Sequence, residues 1–269
     1  MDKRPVLFID SGLGSLPYGN FFHSRNRHEE LICIGDCANF PYGTKSRETL
    51  IALLDSLTEK IISAYDPKIL ALVCNTASVT ALDFLREKYA DLPIVGTVPA
   101  IKPSVLASKT RKLGLIGSER TVEDPYIAKL AAAYGPDCEI ILVAAPELIE
   151  FAQYRYGNSA AAERLAAVSP YVDELRSSGV DSIVLGCTHF LLLHEDFKAA
   201  AGKDIGVYDS VEGVTRRLES ILDEEDGKLR SQTRHEQIVP VIAVTGGEKP
   251  ESYWDDLARR SGFSLQRFL

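Results

Sequence analysis

The sequence predicts an α/β protein: two similar α/β domains with mostly parallel sheets and the active site in the cleft between them. Three observations carry that expectation. Short apolar runs alternate with helical patterns along all 269 residues, as in parallel sheets flanked by helices. The runs are continuously apolar rather than alternating, as in strands buried on both faces. One kind of corner also occurs twice. Residues 69–73 stop at Cys74 and residues 182–186 stop at Cys187, each followed by polar residues and then a helical pattern, 113 positions apart.

Taken in order, residues 6–9 form a first strand that ends at Asp10, Ser11, Gly12 and Gly14, where glycine permits a tight exit. Residues 31–34 form a second, ending in Gly35 and Asp36. Pro41, Tyr42 and Gly43 make a loop. A helix over 46–65 places Leu50, Leu54, Leu57 and Ile61 on one stripe. The first cysteine strand follows, then a strand over 94–97, and Pro99 and Pro103 punctuate what comes next. The pattern then restarts: a strand over 113–116 ending at Gly117 and Ser118, a helix over 122–134, a strand over 139–143 ending at Pro146, and a helix over 160–178 stopped by Gly179. After Cys187 a helix carries Phe190, Leu193 and Phe197 to Gly202. A strand over 205–208 ends at Asp209 and Ser210. A helix over 211–225, a polar linker over 226–237, a strand over 238–244, a helix over 251–260 and an extended piece over 264–268 complete the chain. The break near Pro99 and the return near Tyr208 place residues 1–98 and 208–269 in a first domain, on the Cys74 side. Residues 99–207 form a second, on the Cys187 side.

Composition narrows the function. The net charge of -8 opposes nucleic acid or anionic membrane as a partner. No run approaches the roughly 18 apolar residues of a membrane span, and the start leads into a strand without a signal-peptide core, so a cytoplasmic location is expected. The five cysteines include no C-x-x-C pair and are expected as free thiols. Cys33 and Cys37 lack the second ligand pair of a structural metal site, so no metal is expected. Gly12 and Gly14 form only part of a dinucleotide loop, with Pro17 where the third glycine belongs. Asp10, Ser11 and Gly12 also suggest a serine nucleophile, but no G-x-S-x-G elbow is present.

In parallel sheets ligands gather at the carboxyl ends of strands. Asp10, Ser11, Asp36, Cys74, Asn75, Ser118, Cys187 and Thr188 all fall there. A cysteine entering a helix meets free backbone N–H groups and the positive end of the dipole, both of which favour thiolate. His189 stands close to Cys187, and Asp10 would serve Cys74 if their strands are neighbours. Two such acid/base groups suit inversion of a carbon centre: one removes a proton from one face while the other delivers a proton to the opposite face. Ser11, Asn75, Thr76 and Thr188 would donate to the developing carbanion and its carboxylate. The bland reading is core packing, since cysteine is among the most buried residue types.

The motifs Asp10-Ser11-Gly12, Pro41-Tyr42-Gly43, Cys74-Asn75-Thr76-Ala77 and Gly186-Cys187-Thr188-His189 resemble the signature motifs of the glutamate racemases, in order and at similar spacing. Thr121 with Tyr126, and Asp209 through Glu212, resemble further segments of that family. The resemblance covers nearly the whole chain. It implies cofactor-independent interconversion of L- and D-glutamate, D-glutamate for peptidoglycan, and a homodimer. It implies Cys74 as the base toward D-glutamate and Cys187 toward L-glutamate, assisted by Asp10 and His189. Ser11, Pro41, Tyr42, Gly43, Asn75, Thr76, Thr121 and Thr188 match substrate-contacting positions. The chain departs from the family pattern at Ser15, at Leu191, at Ala145 and at Gln153, where a glutamate is usual. A racemase for aspartate or another amino acid, or a non-catalytic amino-acid-binding protein, are the alternatives.

Overall fold

The computed structural model describes residues 2–226, 238–246 and 251–268. The chain divides into two compact units, Met1–Thr97 with Val211–Leu269, and Val98–Ser210. In chain order the first unit opens with β1 (Val6–Asp10), α1 (Ser15–Arg25), β2 (Leu31–Gly35), α2 (Arg47–Tyr65), β3 (Ile69–Leu72), α3 (Asn75–Lys88) and β4 (Ile94–Gly96). The second unit holds α4 (Ile101–Ala107), β5 (Lys112–Gly117), α5 (Glu119–Glu123), α6 (Pro125–Tyr134), β6 (Glu139–Ala144), α7 (Pro146–Tyr154), α8 (Ala161–Ser177), β7 (Ser182–Leu185), α9 (His194–Ala201) and β8 (Gly206–Tyr208). The chain then returns through α10 (Val211–Asp226), β9 (Val241–Val244), α11 (Glu251–Arg260) and β10 (Ser264–Arg267). The linker expected over 226–237 lies, beyond Asp226, outside the described residues.

Both sheets are parallel throughout. The first has the order β10-β9-β2-β1-β3-β4 and the second β6-β5-β7-β8. The stretch β2-β1-β3-β4 therefore repeats the topology of β6-β5-β7-β8. In each unit the chain steps to one side of its first strand and then to the other, so β1 and β5 are the switch points where a crevice opens beyond the strand ends. β1, β2, β3 and β7 are buried along their whole length, as their continuous apolar sequences require, whereas β6, expected from its apolar run to be buried as well, lies at the edge of its sheet and is largely exposed or half-buried. Leu50, Leu54, Leu57 and Ile61 of α2 pack with Leu7, Ile9, Leu70 and Leu72 of the sheet, and Ala77, Ala81 and Leu85 of α3 join the same cluster. Small residues at i and i+4 let α3 lie close to the strands.

Several elements differ from the sequence expectation. The segment after Gly14 forms α1 despite Pro17 and Gly19, and its weak apolar periodicity gave no helical signal. Pro103 sits inside the short helix α4. Pro146 opens α7, where a first-turn proline costs no helical hydrogen bond. The helix expected over 122–134 is broken into α5 and α6 at Asp124, whose carboxylate accepts from the Tyr126 amide (2.8 Å). The helix expected straight after Cys187 is instead a 3₁₀ turn, Thr188–Leu193, with α9 beginning only at His194.

Candidate active site

In the first unit the predicted residues converge at the carboxyl edge of β1, β2 and β3. β1 and β3 are direct neighbours, with Ile9 opposite Leu72, and the Val73 amide donates to the Ile9 carbonyl (2.9 Å). Asp10 and Cys74 thus leave adjacent strands at the same edge. Asp10 is fully buried; its Oδ1 accepts from the amides of Gly12 (2.8 Å) and Gly14 (3.0 Å), which shapes the loop that carries Ser11. Cys74 is the N-cap of α3 in an extended conformation, with no side-chain cap bond. Its carbonyl accepts from the Ser78 amide (2.8 Å). The Ser78 hydroxyl donates to the Leu72 carbonyl (2.9 Å) and accepts from the Thr97 amide (3.0 Å). Those bonds tie the first turn of α3 to the ends of β3 and β4. Asn75 and Thr76, in that turn, are buried, as is Ser11.

Tyr42 is buried within the cluster that contains Cys74. Its hydroxyl donates to Asp36 Oδ2 (2.7 Å). Burial, then the Asp36 carboxylate, then the nearby charges of Cys74 and Asp10, push its phenol well above the usual tyrosine range. Tyr42 therefore stays a neutral phenol whose proton is committed to Asp36. Pro41 and Gly43 flank it and are half-buried. Asp36 also accepts from the Thr245 hydroxyl and the Asn39 carboxamide. Sequence reasoning placed Asp36 at a strand end but gave Asn39 and Thr245 no part. Thr245 lies just past β9, a strand distant in sequence.

In the second unit the corresponding edge holds β5 and β7 side by side. The Gly186 amide donates to the Ile116 carbonyl (2.7 Å) and carries the chain into Cys187. Cys187 is half-buried, in an extended N-cap conformation ahead of the 3₁₀ turn. Thr188 and His189 are buried in that turn. His189 Nε2 lies 3.0 Å from Gln153 Oε1 on α7, which is itself buried. Gln153 thereby fixes the orientation of the His189 ring. Thr121 is buried at the end of β5, where its amide donates to the Ser118 hydroxyl (3.2 Å) and the two hydroxyls pair at 2.9 Å. The predicted residues fall into two groups: Asp10, Ser11, Tyr42, Cys74, Asn75 and Thr76 in one unit, and Thr121, Cys187, Thr188 and His189 in the other. A groove of about 380 Å³ between α7 and α8, walled by Phe151, Tyr154 and Tyr171, contains none of them. Among the described residues no group of three or more His, Cys, Asp or Glu side chains is set to hold a metal. No helix there is long and apolar enough to cross a membrane.

Comparison with known proteins agrees with this geometry. The model of the Asp/Glu/Hydantoin racemase family matches residues 22–218. A glutamate racemase from Sphingopyxis alaskensis is 37% identical over 244 residues, 90% of this chain and 86% of its own. A glutamate racemase from Treponema pallidum is 37% identical over 210 residues, 78% of each chain. The crystal structure of Escherichia coli glutamate racemase, in complex with L-glutamate and the activator UDP-MurNAc-Ala, superposes with a TM-score of 0.84 at 26% identity over 98% of both chains. Two sheets that share a four-strand order, each with a cysteine corner beside its switch point, belong with these enzymes: the chain is a member of the Asp/Glu/hydantoin racemase family, on its glutamate racemase branch, and an isomerase.

Proposed function

We propose that the protein interconverts L- and D-glutamate without a cofactor, using Cys74 and Cys187 as paired acid and base, and so supplies D-glutamate for peptidoglycan. The observation that carries this reading is the repeated corner: each unit ends a buried strand at its switch point with a cysteine, followed by polar residues in the first turn beyond it. The L-glutamate bound by the E. coli relative supports the substrate. In the direction from D-glutamate, the Cys74 thiolate takes the α-proton and the Cys187 thiol delivers its proton to the opposite face; from L-glutamate the roles exchange. Each turnover leaves the acid and base forms swapped. Asp10, beside Cys74, and His189, two residues beyond Cys187, assist these transfers. Ser11, Asn75, Thr76, Thr121 and Thr188 provide hydroxyl and amide donors to the substrate's carboxylates, and the amides opening α3 add their dipole to the carbanion side.

The protein is further proposed to act in the cytoplasm as a homodimer. The test is a racemisation assay on Cys74→Ser and Cys187→Ser with glutamate and aspartate side by side. Loss of glutamate turnover in both variants is expected. Retention in both defeats the reading, and turnover of aspartate alone transfers it to the aspartate racemases.

A further inference from the structure

Asp36, at the end of β2, accepts four hydrogen bonds from side chains around it, and no substrate contact is assigned to it. It is 2% exposed. Oδ2 accepts from the Tyr42 hydroxyl (2.7 Å), Oδ1 from the Thr245 hydroxyl (2.5 Å), and the Asn39 carboxamide donates to both oxygens (3.1 and 3.0 Å). Its amide donates to the Asp10 carbonyl (2.9 Å). Thr245 is held in turn: its amide donates to the Gly35 carbonyl (3.0 Å), and its hydroxyl accepts from the Ala38 amide (3.2 Å). One carboxylate thereby joins the ends of β1, β2 and β9 and the turn Tyr42–Thr44, which packs against α3. A buried carboxylate that collects this many donors is costly to leave unpaired, so the donors are held firmly as a set.

We propose that Asp36 is the positioning residue of the Cys74 corner, acting through Tyr42: it holds the Tyr42 side chain in the cluster beside Cys74 and the Pro41–Tyr42–Gly43 loop in place for substrate. The inference rests on the proposed racemisation for its kinetic consequence, but not for its effect on the thiol. Burial first, and then the Asp36 carboxylate, keep the Tyr42 hydroxyl protonated, so that it remains a donor to Asp36.

The test compares Asp36→Ala, Asp36→Asn, Tyr42→Phe and the Asp36→Ala/Tyr42→Phe double variant of the full chain. Alkylation by iodoacetamide is followed peptide by peptide, with Cys187 as the internal reference, alongside kcat and KM from each enantiomer. Loss of a hydrogen bond to a charged acceptor sets the expected scale, about tenfold. Asp36→Ala should raise Cys74 alkylation about tenfold relative to Cys187, and raise KM about tenfold with kcat changed less than about threefold. Asp36→Asn should recover part of both, because its amide oxygen still accepts from Tyr42. In the Tyr42→Phe background Asp36→Ala should add little. A merely structural residue would lower the melting temperature and move neither ratio. Unchanged Cys74 alkylation relative to Cys187, or costs that simply add in the double variant, overturn the proposal. Should Asp36→Ala not fold, Thr245→Val removes one donor to the same carboxylate and should shift Cys74 alkylation in the same direction; no shift there overturns it equally. An unmodified enzyme that does not racemise glutamate defeats the proposed function instead, and the alkylation result then decides the role of Asp36.

Discussion

Lys68 and Glu29 form an ion pair at the amino edge of the first sheet, on the side away from the cysteine corner. Lys68 Nζ lies 2.5 Å from Glu29 Oε2, with side-chain exposures of 1% and 4%. It also donates to the Asp2 carbonyl (2.9 Å). The pair stands where three strands begin: the Val6 amide donates to the Glu30 carbonyl (2.8 Å) and the Lys68 amide to the Pro5 carbonyl (3.1 Å). Lys68→Met keeps the volume of the side chain and removes the cation paired with a buried carboxylate, a change that costs about 3–5 kcal/mol. Against a total stability of about 5–15 kcal/mol, that is a large share, and it should lower the urea midpoint by more than about 1 M. The double variant Lys68→Met/Glu29→Leu replaces the pair by apolar groups and should return to within about 1–2 kcal/mol of the parent, since two buried charges are desolvated in the native pair. Both variants should keep the kcat of the parent, because the pair lies at the opposite end of the strands from Cys74. Urea unfolding followed by circular dichroism, with initial rates measured on the same samples, checks this. A loss under about 1 kcal/mol for Lys68→Met, or a double variant no better than the single, would refute the burial argument.

Other outcomes follow from the site geometry. At Gly35 an added Cβ would meet the Gly12 carbonyl oxygen at 2.8 Å, and at Gly186 the Ile116 carbonyl oxygen at 2.9 Å. Gly35→Ala and Gly186→Ala should therefore each cost about 1–3 kcal/mol in kcat/KM or stability, read by kinetics and thermal melts. Gln153→Glu sets a carboxylate beside His189 and favours the imidazolium. With His189 in its proposed role beside Cys187, the corresponding limb of the rate profile should move to higher pH, whereas Gln153→Leu should cost about 1–2 kcal/mol of stability. At Asp181 burial raises the carboxyl pKa, but hydrogen bonds from the Ser108 hydroxyl, the Thr110 and Lys109 amides and the Ser182 hydroxyl outweigh it and hold it at about 2. Because that is below the unfolded value, 3.8, the stabilisation is complete above about pH 4 and is lost as pH falls toward 2. Asp181→Asn should thus be destabilised at pH 7 and match the parent near pH 2 in urea titrations.

The sequence showed the α/β alternation and both cysteine corners because those signals are local. A continuous apolar run that ends at a polar residue marks a buried strand's end, and Cys74 and Cys187 do stand just beyond β3 and β7. What it did not show was set by distant pairing or by weak local periodicity. Nothing near Thr245 in the sequence announces that β9 lies beside β2 and brings its hydroxyl to Asp36. The repeated strand order around β1 and β5 is likewise a property of pairing. Helix α1 was hidden because Pro17 and Gly19 interrupt its stripe, and the 3₁₀ turn after Cys187 because its apolar residues fit an α-helical template equally well. That last difference matters chemically: Cys187 faces a short 3₁₀ turn, while Cys74 opens the 14-residue helix α3 with its larger dipole. Gln153, visible in the sequence only as a departure from the family pattern, turns out to hold His189.

The central claim is two-base racemisation by the paired thiols, and α-proton exchange in heavy water tests it most directly. The enzyme is given L-glutamate and D-glutamate separately, with no cofactor, and the α position of product and recovered substrate is read by mass spectrometry at low conversion. Deuterium in the product from both enantiomers, with little in the recovered substrate, is the expected result, since each face is served by a different thiol. Equal deuterium in product and recovered substrate, or product that keeps the substrate's own proton, would contradict a two-base mechanism.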